Sequence, residues 1–93
     1  MRIIGNIEHP VLKITVFKME NKISIKFESG LYEQTYKFRT GDGMETFEDV
    51  EKLVDSAFLE KVGDILQTMH DVKSQALLRQ YTAQEEDEFE TII

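Results

Sequence analysis

The sequence predicts an α+β fold, in which an antiparallel β-meander of about four strands is covered on one face by C-terminal helix and followed by an acidic tail. Residues 12–38 alternate apolar and polar side chains with period two, which is typical of strands buried on one side. Residues 46–80 instead carry apolar side chains at spacings of three and four, which indicates amphipathic helix. The breaker cluster at residues 40–43 separates the two patterns.

Three consecutive strands account for the period-two region. Their apolar residues fall on a single face, which we call the inner face of the sheet. From the three strands in turn these residues are Leu12, Ile14 and Val16; Ile23, Ile25 and Phe27; and Tyr32, Tyr36 and Phe38. An apolar sheet face must be covered, and the helical half of the chain is the natural cover.

The first hairpin turn is predicted at Glu20–Asn21, because Asn tolerates the positive φ that a tight turn requires. Centring the turn there places Ile14 opposite Phe27, so apolar residues meet apolar residues. A slip of one residue would move every side chain to the opposite face.

The second hairpin turn is predicted at Ser29–Gly30. This centring places Ile23 opposite Tyr36 and leaves Lys22 opposite Lys37 as one unfavourable pair of like charges. Both hairpins together predict the register of the meander.

Residues 2–7 form a short apolar segment that predicts a first strand, hairpin-paired to the strand beginning near Val11. Gly5 within it suggests a β-bulge or a close approach of another part of the chain. Pro10 ends the segment, because proline cannot donate a hydrogen bond to the sheet.

Thr46 is predicted to cap the first helix, with Asp49 at its third position completing a capping box. An apolar stripe follows the cap and suits the inner face of the sheet; it comprises Phe47, Val50, Leu53, Val54, Ala57 and Phe58.

A second apolar row continues the helical pattern with heptad-like spacing. It comprises Phe58, Val62, Ile65, Met69, Val72, Ala76 and Leu77, and we call it the seam. One helix over residues 46–80 would be about 50 Å long, whereas an eight-residue strand spans about 27 Å. The helix therefore either breaks near Asp55–Ser56 or at Gly63 and folds back as two helices, or its second half projects to pair with another subunit.

Ninety-three residues predict one domain, which we place at residues 1–82, followed by a flexible acidic tail at residues 83–93. Five acidic residues within residues 85–90 repel one another and suit a solvated segment. The apolar residues of the tail are candidate anchors: Phe89, Ile92 and Ile93. A mobile terminus, binding to the chain's own basic sheet face and binding to a partner all remain open.

The net charge of −7 is distributed unevenly. Residues 1–40 hold seven Lys and Arg against four Asp and Glu, whereas residues 41–93 hold four against fourteen. The absence of cysteine excludes disulfides, a thiolate nucleophile and cysteine-ligated metal. No run approaches the 18 apolar residues of a membrane span, so we expect a cytoplasmic protein with no membrane role.

A basic set of residues is predicted on the outer face of the sheet, around one aromatic side chain. The set comprises Lys13, Phe17, Lys22, Lys26, Lys37 and Arg39. Cations around an exposed aromatic ring can bind single-stranded nucleic acid by phosphate contact and stacking. An ordinary solvated face is favoured, because Glu28 and Glu33 lie among these cations and the whole chain is acidic.

Catalytic and ligand-binding patterns are missing. His70 and Asp71 are neighbours on one helix and point about 100° apart, so they do not have the spacing of metal ligands. The glycines at residues 41 and 43 lack the lysine and spacing of a phosphate-binding loop. We expect no enzyme activity, metal, cofactor or small-molecule substrate, and we expect both histidines to be surface residues.

By elimination, the sequence predicts a small non-enzymatic module for protein–protein interaction or assembly. We expect it to form a homodimer or to bind another protein through the seam. An accessory subunit of a larger machine, including one of phage or mobile-element origin, is the corresponding biological role. The alternative is a nucleic-acid-binding module that uses the basic outer face.

Overall fold

The computed structural model describes the backbone of residues 1–92 and the side chains of residues 1–82. Its strands are β1 (Arg2–Ile7), β2 (Lys13–Met19), β3 (Lys22–Ser29) and β4 (Tyr32–Arg39), followed by a 3₁₀ turn at Thr40–Asp42. The helices are α1 (Phe47–Leu53) and α2 (Ser56–Ile92). A four-stranded antiparallel sheet with helix packed on one face confirms the predicted α+β class.

The strands follow one another in the order β1-β2-β3-β4, and every neighbouring pair is antiparallel. The predicted inner-face residues of β2 and β3 form the core together with four residues from the rest of the chain. Its buried members are Leu12, Ile14, Val16, Ile23, Ile25, Phe27, Met44, Val50, Val54 and Val62. Tyr36 and Phe38 of β4 are half-buried against this core.

The first hairpin has the predicted register, with Ile14 opposite Phe27 and the turn at Glu20–Asn21. The residue that takes the positive φ, however, is Glu20 at 46°, and not Asn21. The pairing of apolar residues across β2 and β3 therefore fixes the turn more strongly than the preference of one turn residue does.

The register predicted for the second hairpin is wrong by two residues. The turn lies at Gly30–Leu31, so Ile23 faces Phe38 and Ile25 faces Tyr36. A shift of two residues keeps every side chain on its face, so the apolar pattern alone does not distinguish the two registers. Gly30 takes a φ of 58°, which glycine adopts at no steric cost when it begins the turn.

Gly5 fulfils both roles that the sequence suggested for it. The register between β1 and β2 shifts between Ile3 and Gly5, which is the predicted bulge. A Cβ atom on Gly5 would lie 2.5 Å from Cε2 of Phe47, so the first residue of α1 packs directly on this part of β1. The absence of a side chain at residue 5 is what lets α1 approach the sheet.

The capping box at the start of α1 is confirmed. The backbone N–H of Asp49 donates to the Thr46 hydroxyl at 3.2 Å, and the Asp49 carboxylate accepts from the N–H groups of Glu45 and Thr46 at 3.0 Å each. The backbone N–H groups of Glu45 and Thr46 that donate to the Asp49 carboxylate, followed by the Thr46 side chain, hold the pKa of Asp49 below its ordinary value.

Of the two break points that the sequence offered, the one near Asp55–Ser56 occurs, and α2 runs through Gly63 without a break. Asp55 caps the new helix, because its carboxylate accepts the N–H of Phe58 at 2.9 Å. Ala57, predicted in the apolar stripe, is exposed, since the break resets the helical phase.

The helix α2 runs antiparallel to β4 and does not fold back. Three contacts along the two elements show this order: Phe58 meets Tyr36, Val62 meets Gln34, and His70 meets Tyr32. Twelve residues from His70 to residue 82 then extend the helix by about 18 Å. The break and the projection, which the sequence left as alternatives, thus occur together.

We predict that Gly5→Ala lowers the free energy of unfolding by about 1–3 kcal/mol, because the new methyl group overlaps the Phe47 ring. Gly41→Ala is the matched control, since a Cβ there meets nothing within 4 Å. Urea denaturation measures both. Equal stability of the two variants would contradict the close packing of α1 on β1.

We also predict that the Asp49 cap weakens in acid. The pKa of Asp49 is lower in the folded protein than its ordinary value of 3.8, so its stabilising effect is complete above that value and is lost as the pH falls through the folded pKa. The stability difference between the protein and Asp49→Asn should therefore shrink below pH 3.8. Glu51→Gln removes the same charge from α1 without removing a cap; an identical pH profile for both variants would refute the prediction.

Candidate functional site

The seam divides into a part that packs on the chain's own sheet and a part that does not. Val62 is buried, and the Phe58 ring stacks on Phe27 with centroids 5.6 Å apart. The sequence predicted that these two residues contact a partner. They belong instead to the core and are not available for such a contact. Met69 and Ala76 are half-buried.

The remaining seam residues face solvent. Exposed fractions are 43% for Ile65, 62% for Val72 and 44% for Leu77. Leu78 and Tyr81 add two more exposed apolar side chains to the projecting end of α2. These large apolar side chains thus remain exposed between residues 65 and 81 of α2.

A groove lies where α2 passes the β3–β4 turn, and its volume is about 510 Å³. We call it the α2 groove, lined by Leu31, Tyr32, Ile65, Thr68, Met69, Val72 and Lys73. Leu31 stands at the tip of the turn and is 85% exposed. Leu31 is not among the predicted site residues, because the register predicted for the second hairpin placed the turn at Ser29–Gly30 and not at Gly30–Leu31.

Tyr32 holds the groove in place. Its hydroxyl lies 2.9 Å from Nδ1 of His70 in hydrogen-bonding contact, and Lys73 Nζ lies 5.3 Å from the centre of its ring. The two aromatic rings meet edge to face at 5.8 Å. His70 is exposed, as the sequence predicted, and it contacts the sheet.

The other histidine has a local structural role. Nδ1 of His9 accepts from the backbone N–H groups of Val11 at 3.2 Å and Leu12 at 3.1 Å. His9 is half-buried and not the surface residue that the sequence predicted, because it closes the loop between β1 and β2.

Gln34 joins the sheet to α2. Its amide donates to the carbonyl of Val62 at 2.9 Å and accepts from the Tyr36 hydroxyl at 2.6 Å. In the sequence Gln34 only interrupts an apolar pattern; in the structure it fixes where α2 crosses β4, and hence where the helix leaves the sheet.

The centre of the outer face is occupied by the chain's own charges. Lys26 Nζ lies 3.4 Å from Glu28 and 3.8 Å from Glu33, and it lies 5.7 Å from the centre of the Phe17 ring. Half-buried Phe17 and paired Lys26 offer little to a phosphate backbone or a stacking base. Lys13 lies near this group, opposite Glu28.

The other three predicted basic residues gather at the far end of the outer face. Lys22 lies directly opposite Arg39, and Lys37 lies two residues from Arg39 on the same side of β4. All three are exposed, and none has a carboxylate within 4.0 Å in the part of the chain whose side chains are described. We call these residues the basic cluster.

The candidate tail anchors Phe89, Ile92 and Ile93 lie outside the residues whose side chains the structure describes, as does the rest of the predicted tail. Within the described part, no three His, Asp or Glu side chains gather in a way that could hold a metal ion. None of the helices is long and apolar enough there to cross a membrane.

We predict that Gln34→Leu lowers the free energy of unfolding by about 1–2 kcal/mol, because two hydrogen bonds of about 1 kcal/mol each are lost. Tyr36→Phe removes only the shorter bond. Denaturation of both variants and the double variant tests the link. Tyr36→Phe should cost no stability once Leu stands at residue 34, because the hydrogen bond between the two side chains is already lost. Stability losses of the two single variants that add up in the double variant would contradict this bond.

Comparison with known proteins adds no family to this description. The chain matches no protein-family model, no curated protein and no solved structure. The surfaces of the molecule described above are therefore the basis for its proposed function.

Proposed function

We propose that this protein is a non-enzymatic assembly module that forms a homodimer through α2. One observation carries the proposal: apolar side chains remain exposed along α2 and at the adjoining β3–β4 turn, where the helix leaves the sheet. The surface combines a groove with an apolar helix face, which is the form of a helix-binding site.

The physics of an isolated helix favours a partner. C-terminal to His70, whose ring contacts Tyr32, α2 makes no hydrogen bond to the sheet among the described residues, although the helix continues past residue 82. A helical segment without tertiary packing is only marginally stable in water, because each added residue gains little from propagation. Burial of exposed apolar surface, worth about 25 cal/mol per Å², would support this part of the helix.

A second copy of the chain is the partner that we favour. The spacing of Val62, Ile65, Met69, Val72 and Ala76 has the heptad period of paired helices. Only the last four of these residues lie outside the core, so the helix pair is short. The turn residue Leu31 of each copy would extend the contact, as expected for an isologous interface in which the same patch serves both subunits.

We include a cytoplasmic location and an accessory role in a larger assembly in this proposal. A chain without cysteine suits a reducing compartment. The exposed apolar side chains of α2 and the β3–β4 turn support binding as the activity of this protein.

We predict that Val72→Glu weakens self-association at least 100-fold, because the interface would have to bury a carboxylate without a partner. Gln75→Glu adds the same charge to the same helix at an exposed polar position and should change the dissociation constant less than threefold. Sedimentation equilibrium measures both variants, and circular dichroism checks that each remains folded.

A monomer at several hundred micromolar would overturn the homodimer. So would a dimer that Val72→Glu and Gln75→Glu affect equally, because the contact would then lie elsewhere.

A further inference from the structure

Among the residues whose side chains are described, no carboxylate lies within 4.0 Å of the basic cluster. Lys22 and Arg39 are cross-strand neighbours, and like charges in that position destabilise a sheet by roughly 0.2–1 kcal/mol. Lys37 adds a third cation on the same side. Elsewhere on the outer face the structure sets carboxylates beside Lys26, whereas none of the described carboxylates pairs with these three cations, so they are available to an anionic ligand.

Apolar side chains border the basic cluster on one side. Met19 lies opposite Lys22 on β2, and Phe17 lies opposite Ser24 in the next row. Ile3 on β1 lies opposite Phe17 and is largely exposed. A ligand that combines several carboxylates with a few apolar side chains would match this surface in both respects.

Residues 83–93 of the chain itself have that chemistry. Their sequence carries five carboxylates between residues 85 and 90, together with Phe89, Ile92 and Ile93. We propose that this acidic segment of one copy binds the basic cluster of a second copy. The inference rests on the proposed dimer and adds its orientation.

Distance makes binding within one chain unfavourable, because the segment would have to be almost fully extended. Since α2 runs antiparallel to β4, residue 82 lies about 30 Å beyond Val62 along the helix, whereas Arg39 lies about 17 Å from Gln34 in the opposite direction. The gap is therefore about 45 Å along the axis, because Gln34 and Val62 are in contact. Eight fully extended residues, from 83 to 90, span at most about 29 Å.

The orientation of the helix pair follows from the same distances. Parallel α2 helices would bring two acidic segments side by side, and their like charges would repel. Antiparallel helices carry each acidic segment back along β4 of the other copy. Because β4 is the edge strand, the segment can pass around this edge from the inner face, where α2 packs, to the outer face, where the basic cluster lies. Two identical charge contacts then flank one apolar helix pair.

A charge swap in the full-length protein tests this arrangement. The variant Lys37→Glu/Arg39→Glu should weaken the dimer about tenfold at 50 mM salt, because each exposed ion pair contributes modestly and the contact occurs twice. Adding Glu86→Lys/Glu88→Lys to that variant should restore the dissociation constant to within threefold. The matched control Lys13→Glu/Lys52→Glu changes the charge equally but away from the cluster, and it should have little effect.

Salt separates this inference from the proposed function. Raising the salt concentration to 500 mM should weaken the original dimer and leave Lys37→Glu/Arg39→Glu almost unchanged. A dimer whose affinity ignores salt, with no difference between the cluster variant and its control, overturns the charge contact and leaves the helix contact standing. A monomer under all conditions overturns both.

A synthetic peptide of residues 83–93 provides a direct probe. It should bind the full-length protein carrying Glu86→Lys/Glu88→Lys, whose own segment no longer competes, and a peptide with Gln at every Glu should not bind. A single-stranded oligothymidine that binds more tightly than the peptide, and that loses binding in Lys37→Glu/Arg39→Glu, would reassign the cluster to nucleic acid and overturn the proposal.

Discussion

The need to cover one apolar face of a single sheet governs this structure. Ile14, Val16, Ile23, Ile25 and Phe27 are almost completely removed from solvent, although strands alone would leave them exposed on one side. Burial of side chains of this size contributes roughly 1.5–3 kcal/mol each, which makes the cover the dominant favourable term in so small a domain. The cover is formed by the loop before α1, by α1 with the residue that follows it, and by the first turns of α2. Their buried residues are Met44, Val50, Val54 and Val62.

The helical cover is longer than the sheet face that it covers, and exposed apolar side chains on α2 are the consequence. Polar contacts at Gln34 and Tyr32 align α2 with β4 and direct it past the β3–β4 turn. The apolar period of the helix does not stop where the sheet stops, so Ile65, Val72 and Leu77 remain exposed. One amphipathic helix thus serves the core with its first part and a partner, in our proposal, with its second.

Charge is also distributed along the common direction of α2 and β4. The cations of the outer face fall into two groups, one neutralised around Lys26 and one without described carboxylates at Lys22, Lys37 and Arg39. The acidic residues of the chain are concentrated at its other end, and α2 carries them away from the basic cluster. In our proposal these separated charges meet between two copies of the chain, where complementary charge guides association.

The sequence by itself determined the fold class, the strands and the capping box, because each depends on local chemistry or on a simple period. It left open whether and where the helical half of the chain breaks, since the apolar spacing continues from Leu53 to Phe58. It did not determine the register of the second hairpin, since a shift of two residues preserves the faces. Nor did it show which seam residues are buried and which are exposed. The burial of Phe58 and the exposure of Val72 depend on where α2 crosses the sheet, not on their spacing along the chain. Only the tertiary structure places Leu31 beside α2 and sets Lys22 against Arg39, as both result from contacts between residues distant in sequence.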